Sequence, residues 1–412
     1  METQQKPRLV ILGTGFGGFS IAKRIDQRLF DIAIVSPRNH FLFTPLLPST
    51  TVGTIEFRSI IEPIRSARPD VTYYHASCVG IDRKKHLVRC RGVMDNRRFS
   101  IPYDYLVVAV GSQSATYGVP GVREHALLLK DLGDARAIRQ RVIECLEQAS
   151  EPSIDPEERK RLVHFVVVGG GPTGVEFLAE MHDLVQEDLH KTFPQVVNDV
   201  RLILLEAQEE ILTSFDAVLR AYTMRAFMRQ GIEVKTRSIV KKIRKRSILL
   251  QNGSAIPYGL VVWSTGVKPA DLTRALPFKK DAASRLVVDD YLRLDETSRH
   301  FALGDCSSVE GHLFPGTAQV AQQQGKYLAQ ALGGHARGQT VKPFRYRSYG
   351  MLAYIGKGKA LADLDSVKGR GFIAWLFWRS VYITRLVSLK NKILVIVDWM
   401  KTFFFGRDIS RF

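Results

Sequence analysis

Short apolar runs recur along this chain, and four of them stop at a glycine. Val10-Ile11-Leu12 leads into Gly13, Tyr105-Leu106-Val107-Val108-Ala109-Val110 into Gly111, Val166-Val167-Val168 into Gly169, and Val261-Val262-Trp263-Ser264-Thr265 into Gly266. Apolar runs this short, without polar alternation, predict strands covered on both faces, as in a parallel sheet. Residues 8–36 read as strand, glycine turn, helix and strand, with Asp31-Ile32-Ala33-Ile34-Val35-Ser36 completing a βαβ unit. Arg201-Leu202-Ile203-Leu204-Leu205-Glu206 completes a second unit, after an extra segment from Val185 to Asn198. Residues 71–110 alternate strand-like segments with polar turns, and Phe301-Ala302-Leu303-Gly304-Asp305 is a short strand assigned back to the first unit. The segment from Pro37 to Pro48 holds too many prolines for a long regular element and reads as an ordered loop laid across a ligand.

Both units open on G-x-G-x-x-G, at Gly13/Gly15/Gly18 and at Gly169/Gly171/Gly174. The three glycines serve different ends: a tight turn, room for a pyrophosphate against the backbone, and close helix–strand contact. The following helix start offers free N–H groups and the positive end of its dipole to phosphate. Two copies in one chain imply two dinucleotides, most economically a flavin and a nicotinamide exchanging electrons. No other internal repeat and no low-complexity tract is visible.

The 412 residues are enough for two or three domains, and the 45% hydrophobic and 24% charged content is ordinary for a globular protein. The charge is not ordinary: 59 Lys and Arg against 41 Asp and Glu, a net +18. Nucleic acid, an anionic membrane or nucleotide ligands would each suit that excess, but no zinc spacing or nucleic-acid motif accompanies it. Cys78, Cys90, Cys145 and Cys306 include no C-x-x-C and suggest no disulfide framework, which points to a reducing compartment. The first strand begins by Arg8, leaving no room for a signal peptide, and no apolar run reaches the roughly 18 residues of a spanning helix.

Several side chains could carry chemistry. Glu206 ends the strand after the second fingerprint, where a carboxylate accepts both adenosine ribose hydroxyls and repels a 2′-phosphate. Ser36 occupies the matching place in the first unit and can bond a ribose without charge. Glu176, in the first helical turn after Gly174, is either an acid favoured by the helix dipole or a carboxylate near the reacting ring that orients a ligand or relays a proton. Asp305 can accept from a ribityl hydroxyl, or simply belong to a turn. Gln319 and Gln323 share one helix face beside the small Ala318 and Ala321, which suits the carbonyls of a flavin or quinone, or a solvated polar helix. The tail carries two aromatic runs, Gly371 to Arg379 and Lys392 to Phe405, flanked by Lys368, Arg370, Arg379, Arg385, Lys390, Lys392, Lys401, Arg407 and Arg411. That pattern fits an interfacial helix, or a helix docked on the core or in a dimer interface.

These pieces together resemble the type II NADH dehydrogenases, single-subunit NADH:quinone oxidoreductases of the two-dinucleotide-binding flavoprotein superfamily. The resemblance covers nearly the whole chain. Its specific residues are Gly13 to Gly18, Ser36-Pro37-Arg38-Asn39, Phe43 to Pro48, Gly169 to Glu176, Leu303-Gly304-Asp305, Ala318 to Gly325 and the ending Phe405 to Phe412. It implies an α/β fold with two Rossmann-like dinucleotide-binding domains, for FAD and NADH, and a C-terminal membrane-associating helical region. The expected order is FAD domain at 1–120, NADH domain at 121–288, return to the FAD domain at 289–340, and the membrane and dimerisation region at 341–412.

By the same resemblance FAD lies on Gly13, Gly15, Phe16, Gly17, Gly18, Ser36, Pro37, Arg38, Thr44, Val79, Gly111, Asp305, Ala318 and Gln319. NADH lies on Gly169, Gly171, Pro172, Thr173, Gly174, Glu176, Glu206 and Gly266. Glu176, Gln319 and Gln323 would be catalytic, the glutamines facing the flavin and the quinone headgroup. The acceptor would be a membrane quinone, ubiquinone or menaquinone. No metal and no nucleic acid is expected, and no proton pumping. A homodimer would sit peripherally on the cytoplasmic face of a bacterial inner membrane or, after processing, on a mitochondrial inner membrane. Sulfide:quinone and disulfide reductases need a redox cysteine pair that the spacing does not offer, and a ferredoxin reductase would not need the aromatic, basic tail. A non-enzymatic redox sensor would use the positive charge for nucleic acid.

Overall fold

The computed structural model describes residues 6–410, so Arg411 and Phe412 of the C-terminal motif lie outside the described residues. The chain divides into two compact units. The first comprises Glu62–Gln113, Val267–Ser348 and the described part of Met1–Leu42; the second comprises Phe43–Ile61, Ser114–Gly266 and the described part of Tyr349–Phe412. Residues 43–61 thus belong with the second unit and 267–288 with the first, unlike the linear division expected from sequence.

In the first unit five parallel strands run in the order His300–Ala302, Tyr105–Val108, Arg8–Leu12, Asp31–Ser36 and Thr72–Asp82, followed by the antiparallel Leu87–Gly92 and Arg98–Pro102. Leu9 to Leu12 lie between Ile32 to Val35 and Tyr105 to Val108, all but Tyr105 buried, which is why these runs carry no polar alternation. Helix α1 (Phe16–Ala22) follows the first glycine turn.

The second unit repeats the plan with five parallel strands: Leu127–Leu128, Leu260–Trp263, His164–Val168, Arg201–Leu205 and Glu233–Lys235. Its helices include α2 (Leu132–Ala149) and α3 (Pro172–Leu184), the latter opened by Pro172 where the missing N–H costs nothing. The extra segment after α3 becomes a wide turn at Val185–Leu189, one helical turn at His190–Thr192 and a tight turn at Val197–Asp199.

Back in the first unit, α4 (Ala318–Ala336) is capped by Thr317, whose hydroxyl accepts from Val320 N–H. A Cβ on Gly325 of α4 would meet Gly17 O at 2.5 Å, so α4 and α1 cross backbone to backbone. The tail of the second unit forms α5 (Phe372–Arg385) and α6 (Leu389–Phe405), the latter capped by Ser388 and stopped at Gly406 (φ +79°).

Two local expectations change. The strand expected to reach Asp305 stops at Ala302, because Gly304 takes φ +73° and starts a tight turn over Gly304–Cys306. Phe43 to Pro48 is less irregular than its prolines suggest: Pro45 and Pro48 fall in the first turns of short helices, Thr44–Leu46 and Leu47–Thr50.

Candidate functional site

The two glycine fingerprints fold into matching cradles. Gly13 has φ +103° and Gly169 φ +112°, and a Cβ on either would lie 2.4 Å from a carbonyl oxygen, of Ala109 or Ser264. A Cβ on Gly18 would lie 2.1 Å from Gly13 O, and one on Gly174 2.2 Å from Gly169 O. The middle glycines differ from these neighbours: beside Gly15 and Gly171 there is nothing within 4 Å. Both take φ −73° and lead straight into a helix N-terminus whose N–H groups have no side-chain cap. The first and third glycines therefore close the backbone, while the middle one leaves the space a pyrophosphate requires, in both units.

The cradles differ at the end of the next strand. In the first unit Ser36 Oγ accepts from Arg38 N–H (3.1 Å) and shares a hydrogen bond with Thr14 Oγ1 (3.0 Å). Thr14 also lies within bonding distance of Arg38 O at 3.0 Å, and His75 Nε2 donates to Pro37 O at 3.0 Å, so Ser36-Pro37-Arg38 is braced from two sides. Phe16 stands edge-on to Phe41 with ring centroids 5.0 Å apart. In the second unit Glu206 Oε2 accepts from Gly170 N–H (2.6 Å) and Oε1 from Gln208 N–H (2.8 Å), so its carboxylate is held at the rim of the cradle. Pro172 and Thr173 open α3, and Gly266 (φ +121°) comes within 3.0 Å of Tyr117 Oη, measured from where a Cβ would be.

Farther along the first unit, Asp305 Oδ2 accepts from Ser112 Oγ at 2.6 Å. Both line a cavity of about 250 Å³ with Gly304, Thr317, Val320 and Gln324. Gln324 is buried, and its Oε1 accepts from Gly304 N–H at 2.7 Å, fixing the turn that carries Asp305. Gly111 (φ +66°) also has nothing within 4 Å, whereas Val79 is exposed. Ala318 and Gln319 open α4, both partly exposed. Gln323 is committed elsewhere: its Nε2 donates to Arg347 O (2.8 Å) and its Oε1 accepts from Arg347 N–H (3.1 Å). Thr44 lies in the second unit.

The second unit holds a buried acidic cluster that motif reading reduced to Glu176 alone. Glu176, Glu180 and Asp183 fall at i, i+4 and i+7 of α3 and are all buried. Glu176 Oε1 accepts from Tyr354 N–H at 3.1 Å, and burial pushes its carboxyl up to about 8. Glu180 accepts from Ser49 Oγ and Thr54 Oγ1, each at 2.6 Å, and is also raised, chiefly by burial. Asp183 accepts from the Tyr354 hydroxyl and from Lys357 N–H (2.9 Å). Arg407, almost wholly buried, donates to Thr54 Oγ1 (2.9 Å), Glu187 (2.7 Å) and Asp188 (2.8 Å). The carboxylate spacing along an otherwise apolar helix was the available signal for Glu180 and Asp183.

The cysteines come out differently from their spacing. Cys78 and Cys90 face each other across antiparallel strands. All four thiols are free, and burial pushes Cys78 up to about 11 and Cys90 to about 12, so neither forms a thiolate near neutrality. Among the described residues, no group of three His, Cys, Asp or Glu could hold a metal ion, and no helix is long and apolar enough to cross a membrane.

The tail helices are two-faced. Asn391 Nδ2 donates to Ser59 O (2.8 Å) and Ile61 O (2.9 Å), and Asp398 Oδ2 accepts from Glu56 N–H (3.0 Å). Asp398, which interrupts the apolar run in sequence, therefore points inward. Phe372, Ile373, Leu376, Phe377, Ile393, Met400 and Phe403 to Phe405 are exposed.

The pyridine nucleotide-disulphide oxidoreductase family matches residues 7–325, and the NDH2 C-terminal domain matches residues 349–408. A probable NADH dehydrogenase of Dictyostelium discoideum is 46% identical, over 99% of this chain and 92% of its own. The mitochondrial internal alternative NAD(P)H-ubiquinone oxidoreductase A1 of Arabidopsis thaliana is 41% identical, over 99% of this chain and 86% of its own. The structure of NDH2 from Plasmodium falciparum in complex with NADH superposes with a TM-score of 0.93 at 27% identity, over 98% of this chain and all of that one.

Proposed function

The chain belongs to the type II NADH dehydrogenases, and we propose from that premise how its residues divide the work of an FAD-dependent NADH:quinone oxidoreductase. The carrying observation is the pair of matching cradles with unlike rims, Ser36 in one and Glu206 in the other. FAD, held by the first cradle, would supply the two-electron redox chemistry that links NADH to a quinone.

The residues of the first unit fit FAD. Gly13, Gly15 and Gly18 with the α1 N-terminus take its pyrophosphate, and Phe16 and Gly17 hold α1 in place. Ser36, Pro37 and Arg38 form the adenosine end. Asp305, set by Gln324 and Ser112, accepts from a ribityl hydroxyl, with Gly111, Ala318 and Gln319 beside the flavin end. Gln323 would reach a quinone only by releasing Arg347.

The second unit fits NADH, with its pyrophosphate over Gly171, Pro172 and Thr173 and its adenosine ribose on Glu206. Glu206 favours NADH, because a 2′-phosphate would meet a fixed carboxylate. Glu176 holds a proton near neutral pH and can release it as the reduced acceptor is protonated.

The exposed apolar face of α5 and α6 attaches the enzyme to one leaflet of a membrane, while Asn391 and Asp398 hold the inner face to the protein. A mitochondrial inner membrane is the favoured setting, given the name of the Arabidopsis relative, with ubiquinone as acceptor. A homodimer would double the attached surface.

Anaerobic stopped-flow absorbance at the oxidised-flavin band tests the reading. Rapid bleaching by NADH followed by recovery on a short-chain ubiquinone supports both half-reactions. Bleaching without recovery rejects the quinone as acceptor.

A further inference from the structure

Arg379 lies in the seam between α5 and α6, and no carboxylate is ion-paired with it among the described residues. Its Cζ lies 4.1 Å from the ring centroid of Trp375, one turn earlier on α5, and 4.4 Å from that of Trp399 on α6. The guanidinium thus lies over two indole rings, and hydrogen bonding is left to its N–H groups. Those groups are not satisfied within the protein. Nε is buried without a hydrogen-bond partner, and among the described residues Arg379 has no ion-pair partner. The Tyr354 hydroxyl and Glu180 act on it only through space. Arg379 is half-buried: Nε is a desolvated donor without an acceptor, whereas the two terminal nitrogens are not among the buried unpartnered atoms and remain open to an acceptor from outside the chain.

The neighbourhood says what the acceptor is. Leu376, one turn before Arg379, and Ile396, one turn before Trp399, are exposed, as are Phe372 and Met400. The charge is therefore set in an apolar and aromatic surface, at the place where an interfacial helix meets lipid headgroups. The anion common to that depth is the phosphodiester, and the planar fork of arginine matches two of its oxygens. We propose that Arg379, clasped between Trp375 and Trp399, is a binding site for the phosphodiester of one membrane phospholipid. The site rests on the reading that α5 and α6 face a membrane. It adds headgroup recognition to what would otherwise be purely apolar attachment.

The test is flotation of the holoenzyme with vesicles of matched acyl chains. One set is phosphatidylcholine; the other is digalactosyldiacylglycerol, which has no phosphate. Neither carries net charge, so the general attraction of a +18 protein for anionic surfaces does not enter. Wild type is expected to partition more strongly into phosphatidylcholine. Arg379→Gln is expected to lose about tenfold on phosphatidylcholine, the scale of one charge-assisted hydrogen-bonded contact, and nothing on the galactolipid. Arg379→Lys keeps the charge but not the fork and should lose most of the preference; it decides the matter if the Gln variant fails to retain flavin. Equal losses on both lipids would mean that Arg379 only glues the two helices, and no loss on either would mean that it binds no headgroup; both overturn the proposal. Wild-type protein that floats with neither lipid rejects the membrane reading itself, and the site with it. Wild-type protein that floats equally with both leaves that reading standing and removes only the headgroup site.

Discussion

In the first unit the strand after the glycine turn ends in Ser36 and the helix behind it, α1, is seven residues long without an acid. In the second the strand leads into Glu206, and α3, thirteen residues long, buries Glu176, Glu180 and Asp183. Between these differences the glycines agree in conformation and in what they touch. The agreement reflects a shared demand, a pyrophosphate against bare backbone. On the proposed assignment the differences follow from what each dinucleotide does: a cofactor can be held by neutral hydrogen bonds, whereas a substrate has to be told apart from its 2′-phosphorylated relative. Helix α3 also bears a desolvation cost for its acids, which α1, having none, avoids.

The largest effect should come from filling a closed glycine. Gly18→Ala and Gly174→Ala each drive a Cβ to about 2 Å from a backbone carbonyl, so each should destabilise its unit by about 3 kcal/mol or more. Gly15→Ala and Gly171→Ala enter open space and should be mild by thermal denaturation. If all four behave alike, the cradles are not built as described.

Next comes the buried acid. Burial raises Glu176 from 4.5 to about 8, so the folded protein keeps a proton that the unfolded chain releases. Its contribution is complete below the unfolded value and disappears as pH rises through the folded one. Between those limits the slope approaches about 1.4 kcal/mol per pH unit. Glu176→Gln should therefore flatten the fall of Tm from about pH 5 to about pH 8; a variant with the wild-type slope would show that Glu176 is ionised throughout.

Glu206→Ser gives the second cradle the rim of the first. The ratio of kcat/KM for NADH over NADPH should drop about 100-fold, through loss of ribose bonds and of like-charge repulsion. An unchanged ratio would move selectivity elsewhere. The smallest effect belongs to the tail. Phe404→Ser removes one exposed aromatic ring and should weaken vesicle partition about tenfold, with solution turnover of NADH and a short-chain quinone kept. Unchanged partition would mean that this end of α6 does not enter the lipid.

Most of this contrast was legible from sequence. The glycines, the buried strands, Ser36, Glu206 and the amphiphilic tail each declare a local requirement that neighbouring residues reveal. What stayed hidden depends on contacts between distant segments. Ser49 and Thr54 reach Glu180 over more than a hundred residues, and Tyr354 joins Glu176 to Asp183. Gln324 could not be singled out from its neighbour Gln323 by spacing, since only the fold shows which amide turns inward to Gly304 and which is tied to Arg347. Cys78 and Cys90 meet only because the strands pair in that register.

The division of the cradles is tested most directly by Gly171→Leu, whose side chain would occupy the open space of the second cradle without backbone strain. The measurement is anaerobic absorbance at the oxidised-flavin band on mixing with NADH. The expected result is a yellow protein that dithionite bleaches and NADH does not. A colourless protein, or one that NADH bleaches at the wild-type rate, would contradict it.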